Sequence, residues 1–212
     1  MRRLPVYLLL DVSGSMRGEP IEAVNQGIAI VADTLRTDPY ALETVFISLI
    51  VFNDKVEQIV PLVELYKFNA PILEAKLGTY LGKAIKYLSA KVEEEVIKTT
   101  EENKGDWKPL AFIMSDGKSG DKVEKALGAF NKGLFANILI CATGSTPNLE
   151  ALRLISENVI QMKEMDSENI KSFFKWVSAS VSTTSAKIDK NNSDEIMFDE
   201  LPPLPPRINL AK

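Results

Sequence analysis

Short, continuously apolar segments alternate along the chain with segments that have the spacing of amphipathic helices. The apolar segments, which are typical of strands buried on both faces, are residues 4–10, 44–52, 110–114, 134–142 and 159–162. The predicted helices cover residues 21–35, 81–96, 123–130, 149–155 and 170–181. Strands that alternate with helices favour a parallel sheet with right-handed crossovers.

One further strand changes the picture at the edge of this sheet. Asn53 and Asp54 form a turn signal, and residues 55–60 alternate between apolar and polar positions, which indicates a hairpin with the strand before it. Residues 61–77 contain two prolines and predict an irregular connection. The predicted fold is therefore α/β and doubly wound, with a mostly parallel six-stranded sheet, one antiparallel edge strand and helices on both faces.

The composition changes near residue 183, and we predict a domain over residues 1–182 and a flexible, Pro-containing tail over 183–212. Its proline stretch, Leu201-Pro202-Pro203-Leu204-Pro205-Pro206, favours an extended polyproline II conformation. Ile196, Met197 and Phe198 carry apolar groups that would gain from docking on a surface. The favoured interpretation is a flexible tether or a short linear motif that another protein recognises. The alternative is a tail that occupies a binding surface and competes weakly with the partner.

Charge and hydropathy narrow the classes of partner. The chain of 212 residues has a net charge of −4 and no long basic block, which disfavours nucleic acid and anionic membrane surfaces as partners. No apolar run reaches the roughly 18 residues that span a bilayer. Asp11 interrupts the first apolar run, so we interpret this run as a strand rather than a secretion signal and expect a cytoplasmic protein.

The absence of histidine and the presence of a single cysteine exclude several kinds of catalytic, metal and disulfide site. The chain has no histidine, so it can build neither a Ser-His-Asp centre nor a His-ligated zinc site. Its 1 cysteine, Cys141, excludes an internal disulfide and is expected to be a buried core residue.

Oxygen-bearing side chains collect in three loops, each of which follows a strand or precedes a helix. The first is Asp11-Val12-Ser13-Gly14-Ser15, the second carries Thr79, and the third is Ser115-Asp116-Gly117. Carboxylate and hydroxyl oxygens are hard ligands that suit Mg²⁺, with Mn²⁺ or Ca²⁺ as substitutes. The first loop alone is better explained as an ordinary turn before a helix cap.

The three loops in this order resemble the metal-ion-dependent adhesion site (MIDAS) of von Willebrand factor type A (vWA) domains, whose pattern is Asp-x-Ser-x-Ser, then Thr, then Asp. The resemblance covers roughly residues 4–181, and a Ser stands at position 115 where the family more often has Thr. It implies a metal site formed by Asp11, Ser13, Ser15, Thr79 and Asp116. It also implies a non-enzymatic module that binds a partner's Asp or Glu carboxylate through the metal.

A narrower resemblance is to TerY-type proteins of bacterial tellurium-resistance operons. It is carried by residues 2–5, 35–43, 104–109 and 176–181. The resemblance implies an adaptor in a tellurium-resistance or stress-response system. Its partners would be kinase-like, phosphatase-like or other tellurium-resistance proteins.

Three other functions compete with metal-dependent binding. In a magnesium-dependent phosphoryl-transfer enzyme, Asp11 would be the nucleophile, but the Asp-x-Asp pattern of such phosphatases is absent because residue 13 is Ser. A structural protein with a vestigial site is disfavoured because all five motif positions are intact. A nucleotide-binding loop of the Gly-x-x-x-x-Gly-Lys-[Ser/Thr] type is not present.

Overall fold

A single mixed sheet of seven strands organises the computed structural model, which describes residues 2–191 and 198–211. The strands are β1 (Leu4–Asp11), β2 (Val45–Phe52), β3 (Val56–Glu64), β4 (Leu110–Ser115), β5 (Asn137–Thr143), β6 (Val159–Met162) and β7 (Ile208–Leu210). Their order across the sheet is β3-β2-β1-β4-β5-β6-β7. The strands β2, β1, β4, β5 and β6 are mutually parallel, while β3 and β7 pair antiparallel at the two edges.

Helices cover both faces of the sheet. They are α1 (Glu19–Arg36), α2 (Pro39–Thr44), α3 (Leu81–Glu95), α4 (Val123–Ala126), α5 (Leu149–Ile155) and α6 (Ser167–Asn191). Alternate residues of β1 enter two separate cores: Leu8 packs with residues of α1 and α6, and Leu9 packs with residues of α3 and α5. The doubly wound α/β prediction is thereby confirmed, because the central strands are buried on both faces.

The sheet has one strand more than the sequence predicted. β7 pairs antiparallel with β6, so both edges are antiparallel, whereas six strands with one antiparallel edge were expected. The three residues of β7 lie in a segment with few apolar residues, which gives too weak a periodic signal to indicate a strand.

Several element ends differ from the predictions, among them the start of β5, which is Asn137 rather than residue 134. β3 continues through Pro61 to Glu64, which an edge strand tolerates because its outer N–H groups need no partner. The helix predicted over 123–130 is α4 followed by a 3-10 turn, Leu127–Ala129. α3 ends at Glu95, because Ile97 is bonded to Asp106 instead of to the helix: the Ile97 N–H donates to Asp106 Oδ2, and the Asp106 N–H donates to the Ile97 carbonyl.

The C-terminal residues that the structure describes pack on the domain. α6 continues to Asn191, and Trp176 on this helix donates from Nε1 to the Pro202 carbonyl at 2.9 Å. The ring of Phe198 lies 6.4 Å from that of Trp176, and Ile208 is buried opposite Met162. The described residues of the predicted tail, 183–191 and 198–211, therefore include a helical segment and contacts with the domain, where these apolar groups find a matching surface. Ile196 and Met197 lie outside the described residues.

The strand order determines where a ligand site can form. The chain moves from β1 to β2 on one side and later to β4 on the other, so the carboxyl ends of the neighbouring strands β1 and β4 flank a topological switch point. Ligands of open α/β sheets bind at such points. Within the described part of the chain, no helix is long and apolar enough to cross a membrane.

Candidate metal site

The first loop begins at Asp11, the last residue of β1, and is held by its own carboxylate. The backbone N–H of Ser13 donates to Asp11 Oδ1 at 2.8 Å, and a 3-10 turn follows over Gly14–Met16. The hydroxyls of Ser13 and Ser15 lie 3.1 Å apart. Asp11 and Ser13 are buried while Ser15 is exposed, so the oxygens of this loop lead from the sheet edge to the solvent.

A second hydroxyl on the neighbouring strand completes the contacts of Asp11. Ser115, which is fully buried at the end of β4, donates from Oγ to Asp11 Oδ2 at 3.1 Å. This contact follows from the sheet register, because Leu10 is paired with Met114 and the next residues of the two strands are Asp11 and Ser115. Sequence reasoning treated Ser115 only as a replacement for Thr and missed this role, although the parallel register could have indicated it.

Asp11 lies in an environment that disfavours its charge. Burial raises the pKa of Asp11 to about 6, against the hydrogen bonds from Ser13 and Ser115 that lower it, and the negative charge of Asp116 raises it further. Among the residues that the structure describes, no basic side chain forms an ion pair with Asp11. The two neighbouring carboxylates thus form an anionic centre that a cation would stabilise.

Asp116 is presented by a tight turn after β4. Its Oδ1 accepts the Lys118 N–H at 2.9 Å, and its carbonyl accepts the Asn148 N–H at 2.7 Å. Gly117 follows with a φ of 72°, and a Cβ there would lie 2.6 Å from the Asn148 carbonyl oxygen, so only glycine fits. The backbone therefore fixes Asp116, which is half-buried, beside Asp11.

Thr79 lies in a loop that is held from two sides. On one side the Tyr80 N–H donates to the Asn53 carbonyl at 2.8 Å, next to the turn between β2 and β3. On the other side the Gly120 N–H donates to the Thr79 carbonyl at 2.7 Å. Gly120 lies four residues after Asp116 in the same loop. The loop of Thr79 is thus hydrogen-bonded directly to the loop of Asp116.

The donor set fits a hard divalent cation. Asp11, Ser13 and Ser15 are joined by hydrogen bonds, Asp116 acts electrostatically on Asp11, and the loop of Thr79 contacts that of Asp116. No cluster of three or more Asp, Glu, His or Cys residues suited to a metal occurs in the described residues. A site here would depend on hydroxyls beside two carboxylates, a set that suits Mg²⁺ better than a soft metal.

A cleft of about 600 Å³ opens beside the first loop, and its lining includes Val12 and Arg17. Two large apolar side chains on its wall are exposed to solvent, Ile72 by 82% and Leu77 by 70%. The side chain of Leu77 lies close to Gly14, 3.6 Å from where a Cβ would stand. Exposed apolar groups next to a candidate site are typical of surfaces that contact other proteins.

The fold is that of a vWA domain. The family model of the von Willebrand factor type A domain matches residues 6–176, and the chain belongs to this family. Comparison with curated proteins gives no match.

Solved structures share this fold at low sequence identity. A von Willebrand factor type A protein from Catenulispora acidiphila is 16% identical with a TM-score of 0.64, over 86% of this chain and 43% of that one. Proximal thread matrix protein 1 of the mussel byssus, with a zinc-occupied MIDAS motif, is 14% identical with a TM-score of 0.59, over 84% and 48%. This chain thus spans less than half of either protein.

A third structure, the conserved hypothetical protein BatB from Bacteroides thetaiotaomicron, matches over nearly its whole length. It is 16% identical with a TM-score of 0.56, over 87% of this chain and 99% of that one. Identities this low show a common fold and nothing more specific.

Proposed function

We propose that this protein is a metal-dependent protein-binding module. In this proposal a divalent cation binds among Asp11, Ser13, Ser15, Thr79 and Asp116, and the partner contributes an Asp or Glu carboxylate. The observation that carries the proposal is the buried Asp11 beside Asp116, with neutral hydroxyl and N–H donors around it and no ion-pair partner in the described residues.

Each residue has a distinct part in this arrangement. Ser13 and Ser15 supply hydroxyl oxygens at the rim of the sheet, while Asp11 orients the loop through the Ser13 N–H. Ser115 holds the second oxygen of Asp11 and so keeps its carboxylate in one orientation. When bound, the cation supplies a positive centre with coordination positions that the protein does not fill and a partner's carboxylate can occupy.

We assign Mg²⁺ as the cation, with Mn²⁺ or Ca²⁺ as substitutes. Hydroxyl and carboxylate oxygens are hard ligands, and the chain has no histidine. Its Cys141 is fully buried in β5, where burial strongly raises the pKa of the thiol, so it does not offer a thiolate. The zinc-occupied motif of the mussel protein indicates that metal choice within this fold has to be measured for each chain.

The biological setting is a prediction from the narrower sequence resemblance. The TerY-like segments imply a cytoplasmic adaptor in a bacterial tellurium-resistance or stress-response system. Kinase-like, phosphatase-like or other tellurium-resistance proteins would then be the partners. The exposed Leu77 beside the first loop gives such a partner an apolar contact next to the metal.

The phosphoryl-transfer alternative is disfavoured by the geometry of Asp11. A nucleophilic carboxylate must reach a phosphorus atom, but Asp11 is only 2% exposed. Both of its oxygens already accept hydrogen bonds, one from the Ser13 N–H and one from the Ser115 hydroxyl. An orienting role fits these contacts better than a nucleophilic one.

Calorimetry on the metal-free protein tests the proposal. Wild type should bind Mg²⁺ and Mn²⁺ with a measurable heat, and a Ser13→Ala/Ser15→Ala variant that remains folded should not. Thr37→Ala is a matched control, since it removes an exposed hydroxyl at the end of α1 that donates to the Thr34 carbonyl, away from the candidate site. Equal heats in wild type and the double variant would overturn the assignment.

Partner capture separates the binding module from the enzyme. Capture from cell extract should require Mg²⁺, should stop in chelator, and should be lost in Asp116→Ala. Magnesium-dependent hydrolysis of an aryl phosphate by wild type, abolished by Asp11→Asn, would instead favour phosphoryl transfer.

A further inference from the structure

The helix that follows Thr79 has an unusual N-terminus, because the residue that should cap it does not. Tyr80 occupies the N-cap position of α3 and makes no capping hydrogen bond with its side chain. The first N–H groups of a helix have no partner within the helix and are normally satisfied by such a cap. In this protein their partners come from a different part of the chain.

The loop between β4 and α4 supplies the missing cap. The Leu81 N–H donates to Ser119 Oγ at 2.9 Å. The next two N–H groups donate to the two oxygens of one carboxylate, Gly82 to Asp121 Oδ1 at 2.9 Å and Lys83 to Asp121 Oδ2 at 2.8 Å. A negative charge at this position also stabilises the helix dipole.

The cap connects the two loops that carry Thr79 and Asp116. Gly120, between the two capping residues, donates to the Thr79 carbonyl at 2.7 Å, and Ser119 Oγ donates to Asp121 Oδ1 at 2.5 Å. Both contact points are tight, since a Cβ at Gly82 would lie 2.9 Å from Asp121 and one at Gly120 would lie 2.9 Å from the Tyr80 ring. The loops therefore meet in one defined arrangement.

We infer that Asp121, together with Ser119, is a positioning residue that holds the Thr79 loop against the Asp116 loop and thereby determines the affinity of the metal site. The inference rests on the proposed metal-binding function. Asp121 does not take part as a ligand, because Oδ1 accepts from Gly82 and Ser119 and Oδ2 accepts from Lys83. Its effect on the cation passes through Thr79.

The physical reason is the cost of ordering a loop. Gly78, directly before Thr79, has a φ of 88° and is followed by a helix whose first N–H groups need outside partners. Without Asp121 the segment would be held by fewer hydrogen bonds, so more of its conformational freedom would have to be lost when the cation binds, at a cost to the binding free energy. Partners that orient ligands in this way typically change metal affinity by about 10- to 100-fold.

Calorimetry with Mg²⁺ alone on Asp121→Ala tests the inference. We expect binding about 10-fold weaker than in wild type, and a smaller loss in Ser119→Ala. Asp38→Ala is the matched control, since Asp38 caps α2 in the same way by accepting from the Tyr40 N–H at 3.0 Å and the Ala41 N–H at 3.3 Å. α2 leads into the start of β2, at the end of the sheet opposite the site, so this control should lose stability without losing affinity.

A double-mutant cycle with Thr79→Ala shows whether Asp121 acts through Thr79. In that background Asp121→Ala should weaken Mg²⁺ binding less than 3-fold, whereas independent effects would multiply. If Asp121→Ala does not fold, Asp121→Asn keeps one acceptor oxygen and should give an intermediate loss of affinity.

The outcomes separate this inference from the proposed function. A wild-type protein that binds Mg²⁺ and an Asp121→Ala protein with the same affinity would overturn the inference and leave the metal site standing. If the losses of Mg²⁺ affinity caused by Asp121→Ala and Thr79→Ala multiply in the double variant, Asp121 does not act through Thr79. No Mg²⁺ binding by wild type would overturn both.

Discussion

The two ends of β1 carry buried aspartates in contrasting environments. Asp11 ends the strand, and Asp106 contacts Arg3 just before the strand begins. Eight residues at about 3.3 Å each place the two ends roughly 25 Å apart. Both carboxylates are buried, Asp11 at 2% exposure and Asp106 at 8%.

Asp106 is fully compensated. Its Oδ1 accepts from Arg3 Nε at 2.7 Å, a second guanidinium nitrogen pairs with Oδ2, and the Ile97 N–H donates to Oδ2 at 2.7 Å. The hydrogen bond with Asp106 in turn raises the pKa of Arg3. Arg2 lies over the Trp107 ring, 3.4 Å from its centre. This end of the sheet is a closed polar network that joins the N-terminus to the chain before β4.

The contrast distinguishes a structural carboxylate from one available to a cation. Asp106 has a guanidinium as its partner, whereas the donors to Asp11 are a neutral hydroxyl and a backbone N–H, with a second carboxylate nearby. Burial of a charge is tolerated when it is paired, and an uncompensated one favours either a proton or a metal.

The largest effect is expected at the structural end. Asp106→Ala should lower the free energy of unfolding by about 3 kcal/mol, because it leaves the Arg3 guanidinium and the Ile97 N–H without their partner. Urea denaturation measures the loss. The Mg²⁺ affinity of the folded variant should equal that of wild type, and a reduced affinity would show that the two ends are coupled.

At the carboxyl end of β1, removal of the Asp116 carboxylate is expected to affect metal binding rather than stability. Asp116→Ala should weaken Mg²⁺ binding by about 100-fold, or about 2.7 kcal/mol, while the metal-free protein changes little in stability. It could even gain stability, because the repulsion between Asp116 and Asp11 is relieved. Calorimetry and thermal unfolding in chelator measure the two quantities, and unfolding of the metal-free variant would show that Asp116 is structural instead.

The pH dependence of stability should separate Asp11 from an ordinary carboxylate. A carboxyl group whose pKa is higher in the folded state, here about 6 against 3.8, binds its proton more tightly when folded. Its contribution therefore favours folding below about pH 4 and is lost as the pH rises to about 6. In chelator, Asp11→Asn should gain about 2 kcal/mol relative to wild type between pH 4 and pH 7.

Comparison of the two proteins at each pH cancels the titration of the other carboxylates, which they share. Urea denaturation at pH 4, 5, 6 and 7 measures the difference. A constant difference across this range would mean that the pKa of Asp11 is not raised. A difference of the opposite sign would mean that Asp11 is stabilised in its charged form, as a compensated carboxylate is.

Much of the sheet and the order of the candidate loops could be predicted from the sequence, because both depend on local pattern. β1, β4 and β6 are continuous apolar runs, and the residues after β1 and β4 must lie together if those strands are neighbours. Contacts between distant segments have no such signal. β7 and the cap on α3 by Asp121 depend on docking geometry that no periodicity records.

The contacts of the C-terminal segment could not be predicted from composition either. Its prolines and charges predicted an extended tail, and composition alone does not reveal that Trp176 offers an indole N–H to the Pro202 carbonyl. Nor does it reveal that β6 would have an open edge which Ile208 can cover. A tail that is unstructured by composition becomes ordered when the domain presents a complementary surface.

The smallest expected effect concerns Arg2, which also lies at the structural end of β1. Its Nε donates to the Gly105 carbonyl at 2.9 Å, and its guanidinium lies over the Trp107 ring. A second guanidinium nitrogen of Arg2 donates to the Asp106 carbonyl at 3.1 Å. Arg2→Ala should lower the free energy of unfolding by about 1 kcal/mol, because cation–π contacts and hydrogen bonds of a partly exposed side chain largely replace contacts with water. Arg2→Lys keeps the charge but not the planar stacking and should retain less than half of that contribution.

Tryptophan fluorescence gives this prediction a second readout, since Trp107 and Trp176 are the 2 tryptophans of the chain and Trp107 is the one beneath Arg2. Because Trp107 is 7% exposed, loss of Arg2 should make its ring more accessible to a neutral quencher while Mg²⁺ affinity stays at the wild-type value. A stability loss as large as that of Asp106→Ala would contradict the expectation that Arg3 contributes more than Arg2 to the stability of this end. It would mean that Arg2 contributes as much as the Arg3–Asp106 pair to the stability of this end of the sheet.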